Sequence, residues 1–154
     1  MEKIKGLLID LDGVIYNDSE LISGATDSIR WLRDKNIPFR FITNTTMKSR
    51  TTLQQKLQSF GIEVKREEIF SAVYAAALYI KKSGKEKCHL LLMDDAKEEF
   101  HDLNLQAENP DFVVVGDLGE ELSFERMNIA FQKLFSGAEL IALQKNRYWL
   151  SDKG

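Results

Sequence analysis

Leu7-Leu8-Ile9-Asp10-Leu11-Asp12-Gly13-Val14 decides the fold of this 154-residue chain. The run from Ile4 to Leu11 is short and almost continuously apolar, which predicts a buried strand rather than an amphipathic helix. It ends in two carboxylates, Asp10 and Asp12, set where the chain leaves the sheet. Ligands of an open α/β sheet sit beyond the carboxyl ends of its strands, so local geometry can aim both groups at one ligand. Gly13 lets the backbone come close to a phosphate and offer it amide hydrogens. Two close carboxylates repel, and one tends to keep a proton unless a cation joins them. A divalent metal keeps a nucleophilic carboxylate ionised, and the other carboxyl can then give its proton to a leaving group.

Outward from that strand, apolar runs alternate with helical patterns. Ala25, Ile29 and Leu32 recur at helical spacing, and Pro38 closes that segment after Asn36. Phe39 to Thr43 reads as a second strand. Leu53, Leu57 and Phe60 mark a second helix, with Gly61 placed for a left-handed C-cap. Ile69 to Ala72 predicts a short strand and Val73 to Lys82 a helix. The pattern restarts after Gly84: strand Cys88 to Met93, helix Ala96 to Leu103, strand Phe112 to Val115. Phe124, Met127, Phe131, Leu134 and Phe135 form a long helical stripe expected to pack a core, and Leu140 to Leu143 a last strand. Strands alternating with helices imply βαβ units around largely parallel sheets, an α/β class. The polar, Gly-containing break Lys81 to Lys87 suggests two units, residues 1–76 and 77–154.

Composition narrows the classes of function. With 44% hydrophobic and 29% charged residues the chain is ordinary globular material, and a net charge of −3 gives no reason to expect nucleic acid or membrane as partner. Cys88 is the single cysteine, so no internal disulfide forms and a cytoplasmic, reducing location is expected. Asp10 and Asp12 interrupt the N-terminal apolar run, which is therefore neither a signal-peptide core nor a membrane span. No Gly-x-Gly-x-x-Gly follows the opening strand, against dinucleotide binding. A receiver-like signalling domain would carry its acceptor Asp on a later strand.

Asp10-Leu11-Asp12-Gly13-Val14 resembles the first motif of haloacid dehalogenase superfamily phosphatases. Phe41-Ile42-Thr43-Asn44-Thr45-Thr46 resembles the second, in which a Thr or Ser closing the second strand binds phosphate. The stretches Thr43 to Arg50 and Leu57 to Ile62 are similar to the subgroup of p-nitrophenyl and phosphoglycolate phosphatases, and similarity continues through Asp111 to Gly116 and Ala138 to Trp149. The resemblance implies a Rossmann-like core whose N-terminal strands are followed by an α/β cap. It implies Asp10 as nucleophile, Asp12 as general acid and base, Gly13, Thr43 and Asn44 at the phosphate, and Mg2+ held by Asp10 and Asp12. A small phosphorylated substrate is implied, and a homodimer, since related capped enzymes often pair through their caps. Asp12 favours phosphatase over dehalogenase chemistry, because a halide departs without a proton whereas an ester oxygen benefits from one.

Two family parts are not found: the Lys in a Gly-Lys-Pro context and the acidic pair that completes the metal site. On this alignment the sequence reads as the N-terminal portion of a longer enzyme, inactive alone, and the first strand becomes an exposed apolar edge. A catalytically silent phosphate- or metal-binding fragment is one alternative. Another takes Phe112 to Asp117, an apolar strand ending in Gly-Asp, as the acidic motif of a small capless phosphatase, with Asp117 a metal ligand. Elsewhere, Asp95 with Glu98 reads as the N-cap and N3 of their own helix. Arg50 reads as covering a helix, and His89 and His101 lack the spacing of a metal pair. Lys145 to Trp149 reads as surface charge.

Overall fold

The structure, a computed structural model, describes residues 4–146. β1 (Leu7–Asp10) leads into a small hairpin, β2 (Tyr16–Asn17) and β3 (Glu20–Leu21). There follow α1 (Ala25–Asp34), β4 (Phe39–Thr43), α2 (Arg50–Ser59), β5 (Ile69–Ser71) and α3 (Ala72–Ser83). The remainder runs β6 (Cys88–Leu91), α4 (Asp94–Lys97), β7 (Phe112–Val115), α5 (Phe124–Phe135) and β8 (Glu139–Ala142).

β1, β4 and β5 make one parallel sheet in that order, with Asp10 opposite Ile42 and Thr43 opposite Ser71. β6, β7 and β8 make a second parallel sheet, with Cys88 opposite Phe112 and Val113 opposite Leu140. Parallel neighbours need crossovers of a dozen or more residues, and the intervening helices supply them. The fold is α/β, as the alternation of apolar runs implied.

In the first sheet, α1 and α2 cover one face. Ala25, Ile29 and Leu32 of α1 and Leu53 and Leu57 of α2 join Phe39, Phe41 and Ile69 in one buried cluster. Gly61 follows α2 in the left-handed conformation expected of it, at φ 75°. β1 is not the buried strand its apolar run predicts but the exposed apolar edge that the family alignment implies. It is the sheet's edge, with Leu7 and Ile9 half-buried and Leu8 71% exposed. An apolar run hides the two-residue alternation of a strand covered on one face only, and Leu8 points to the uncovered side.

The second sheet is covered on both faces. Val73, Ala76, Ala77 and Ile80 of α3 pack with Cys88, Phe112 and Val114, while Ala130 of α5 packs with Leu91 and Val113. Successive strand residues face opposite ways, so these helices lie on opposite sides. α3 thus belongs with the second sheet.

Three further expectations are corrected. Most of the stripe of α5 is not core: Phe124, Phe131 and Phe135 are 80%, 62% and 85% exposed, with Phe131 and Phe135 stacked on each other at 6.1 Å, while Leu134 of the same stripe packs beside Leu91 and Val113. The helix expected over Ala96 to Leu103 is one α-turn, Asp94–Lys97, tightening into a 3₁₀ turn at Glu98–Phe100. Asp95 is not the N-cap of that turn; Met93 occupies the position, and the Asp95 carboxylate is spent elsewhere. Of the stretch Lys145 to Trp149, residues 147–149 lie outside the described residues.

Candidate active site

The turn after β1 is built around one carbonyl. Leu11 is fully buried, and its oxygen accepts from the amides of Val14, Ile15 and Tyr16 at 3.3, 2.9 and 3.3 Å. Gly13 donates to the Tyr16 carbonyl at 2.8 Å and has φ 78°, a conformation that favours glycine. No atom lies within 4 Å of where its Cβ would be, so conformation, not crowding, selects the residue. This knot keeps Asp12 beside Asp10.

The two carboxylates feel each other. Partial desolvation holds the Asp12 carboxyl above its usual proton affinity, Asp10 and Asp18 push it the same way, and Lys56 opposes them. The Lys56 ammonium lies 3.6 Å from the centre of the Tyr16 ring. Burial, then Asp12 and Asp10, push the Tyr16 phenol upward, so it stays protonated.

Thr43 ends β4, one residue beyond the partner of Asp10, and neighbouring strands run about 4.8 Å apart. Its side chain is buried, and its hydroxyl oxygen accepts from the Thr45 amide at 3.2 Å, which leaves the hydroxyl hydrogen to donate. Asn44 is exposed at the same rim. The structure therefore brings Asp10, Asp12, Gly13, Thr43 and Asn44 to the carboxyl edge of two adjacent parallel strands.

Residues 7–106 match the sequence model of the haloacid dehalogenase-like hydrolases. The chain belongs to that family. Mouse haloacid dehalogenase-like hydrolase domain-containing protein 2 is 34% identical over 98% of this chain. Human phospholysine phosphohistidine inorganic pyrophosphate phosphatase is 32% identical over the same share. The chain spans 57% of the length of each of these relatives. Among solved structures, a p-nitrophenyl phosphatase from Archaeoglobus fulgidus superposes with a TM-score of 0.89 at 27% identity, over 99% of this chain and 60% of that one.

Within this family the capless alternative fails. β7 is the central strand of the second sheet, paired on both sides, and cannot flank β1. The Asp117 carboxylate accepts from the Gly119 amide at 2.8 Å. Among the described residues no three His, Cys, Asp or Glu side chains gather as a metal cluster, so Asp117 does not join Asp10 and Asp12. The Asp10–Asp12 pair alone still suits magnesium, which keeps several waters and takes one or two protein carboxylates plus phosphate oxygens.

His89 and His101 stay outside the site: His89 lies in β6, held below its usual range first by burial, and His101 ends the 3₁₀ turn beside Asp102. Burial pushes the Cys88 thiol up to about 11, with Asp111 adding to it, so it is no ready nucleophile. Lys56, Tyr16 and Asp18 were not anticipated. Lys56 approaches Asp12 only because α2 packs over the turn, and no local spacing announces that.

Proposed function

We propose that this protein is a magnesium-dependent phosphatase of small phosphorylated molecules, working through an aspartyl phosphate. The observation that carries it is the Asp10–Asp12 pair at the end of β1, with Thr43 closing the adjacent strand and Asp12 biased toward its protonated form. In this reading Asp10 attacks phosphorus, forming an O–P bond as the ester O–P bond breaks, and Asp12 gives its proton to the departing oxygen. Asp12 then takes a proton from the water that attacks the aspartyl phosphate, freeing Asp10 and inorganic phosphate. The Thr43 hydroxyl and the amides near Gly13 and Asn44 hold the phosphoryl oxygens. Asp10 and an oxygen of Asp12 would hold magnesium, which neutralises phosphate charge.

Residues 1–76 are then the N-terminal part of the catalytic core and 77–154 part of an α/β cap that selects substrate and excludes water, the boundary falling inside α3, whose buried residues pack with the second sheet. A cytoplasmic protein and a homodimer belong to the same reading; no helix among the described residues is long and apolar enough to cross a membrane. Because the chain spans 57% of its curated relatives, turnover is assigned to a chain that also carries the family's Lys and acidic motifs. In such a chain Asp10→Asn is expected to abolish hydrolysis of p-nitrophenyl phosphate, and retained hydrolysis would refute the nucleophile. Asp12→Asn should release one equivalent of p-nitrophenolate, which leaves without a proton, and then stall as the aspartyl phosphate.

A further inference from the structure

Asp95 and Glu99 belong to the second unit, yet both carboxylates are committed to the start of α2 in the first. Asp95 accepts from the Ser49 amide at 3.3 Å, the Ser49 hydroxyl at 2.9 Å and the Thr52 hydroxyl at 2.8 Å. Ser49 is itself the N-cap of α2, accepting from the Thr52 amide at 3.2 Å. Glu99 accepts from the Arg50 amide at 2.7 Å and pairs with the Arg50 guanidinium, Nη2 to Oε2 at 2.9 Å. That guanidinium also lies 3.3 Å from the centre of the Tyr74 ring of α3. A helix start leaves its first amides unsatisfied and carries partial positive charge, so two carboxylates are well placed there.

A third tie reaches the loop itself. The Asp117 amide donates to the hydroxyl of Thr46, a buried residue, at 2.9 Å. A Cβ on the preceding Gly116 would stand 3.2 Å from the Thr46 Cβ and 2.7 Å from Leu92 Cδ2, so this approach needs bare backbone. Between Thr43 and the first turn of α2 lie only six residues, and the second unit grips the far end of that span and its middle.

We propose that Asp95 and Glu99 are positioning residues, which cap α2 from the second unit and thereby fix the loop that carries Thr43 and Asn44. The inference rests on reading that loop as the phosphate cradle. Its consequence is that α2's start is the point at which the second unit is anchored to the catalytic edge. A shift of the second unit is passed to Thr43 through hydrogen bonds rather than through a flexible linker alone.

Residue-resolved amide hydrogen exchange on this chain tests it. Losing a charge-assisted hydrogen bond to one carboxylate should raise exchange about ten-fold or more at the amides from Thr45 to Arg50 in Asp95→Asn. Amides inside the sheets, such as Phe41 and Val114, should change less than about two-fold. Thr52→Val removes one donor at nearly constant shape and should give the same pattern, weaker; it also serves if Asp95→Asn does not fold. Exchange that rises equally everywhere, or not at all between Thr45 and Arg50, overturns the proposal. Binding of inorganic phosphate with Mg2+ is read on the same samples, with several-fold weaker binding expected in Asp95→Asn. Should the unaltered chain bind no phosphate, the reading of this loop as a cradle complete within the chain fails, and the exchange pattern still decides the anchoring role.

Discussion

Replacing Glu99 by Gln keeps the shape of the side chain and removes its charge, and the structure sets what that costs. Arg50 and Glu99 are 7% and 6% exposed, so neither charge is rescued by water when the other is lost. Glu99 receives the Arg50 amide, Nε at 3.1 and 3.0 Å to its two oxygens, and Nη2 at 2.9 Å. Gln offers one oxygen and turns an NH2 toward the guanidinium, leaving a buried cation without a counter-charge. Breaking a buried pair from one side costs about 3–5 kcal/mol. The Tyr74 ring still faces the stranded guanidinium, a desolvated cation–π contact worth up to about 2 kcal/mol, which keeps the expected loss at the low end of that range, about 3 kcal/mol. With a urea slope of about 1.5 kcal/mol per molar, the midpoint should fall by about 2 M, read by circular dichroism. Arg50→Met with Glu99→Met leaves only the Arg50 amide unsatisfied, about 1–3 kcal/mol, and should be less harmful than the two single changes added together. A Glu99→Gln loss below about 0.5 kcal/mol, or single losses that simply add, would refute the buried-pair reasoning.

Asp12→Asn tests the electrostatics of the Asp10–Asp12 pair without turnover. Folded Asp12 holds its proton more tightly than unfolded Asp12, so its contribution to stability is complete below the ordinary 3.8 and lost as pH rises through the raised folded value. Asn at this position should flatten that decline and leave the chain at least as stable as the parent at pH 7; a clear loss at pH 7 in urea unfolding would contradict it. Phe131→Ser and Phe135→Ser, on the outward row of α5, should each change stability by less than about 0.5 kcal/mol and lower binding of a hydrophobic dye. A cost above about 2 kcal/mol at either would show that the row is packed.

What the sequence revealed depended on the range of the signal. The helical spacing of Ala25, Ile29 and Leu32 described a face, and that face is buried in the structure. The spacing of Phe124, Phe131 and Phe135 described a face equally well, yet it lies in water while Ala130 meets Leu91 and Val113. Periodicity reports that a helix has two sides and not which side the sheet will take. Here close approach to β7 selects the side with a small residue. The β2–β3 hairpin escaped notice because its strands are two residues each and its turn bears Asp18 at φ 47° without a neighbouring glycine.

The same distinction separates what was legible at the site from what was not. Asp10 and Thr43 each close a strand, so predicting two adjacent parallel strands was enough to set them side by side. Lys56 near Asp12, and Asp95 at Ser49, require knowing how whole helices pack. Asp95 illustrates why local rules mislead at such places. An Asp followed three residues later by Glu98 fits a helix start, but the carboxylate can satisfy only one helix, and α2 offers it two hydroxyls and an amide. Its own turn is four residues long, too short to present a comparable dipole. The longer helix wins the carboxylate, and with it the loop beside Asp10 gains a support that comes from the other unit.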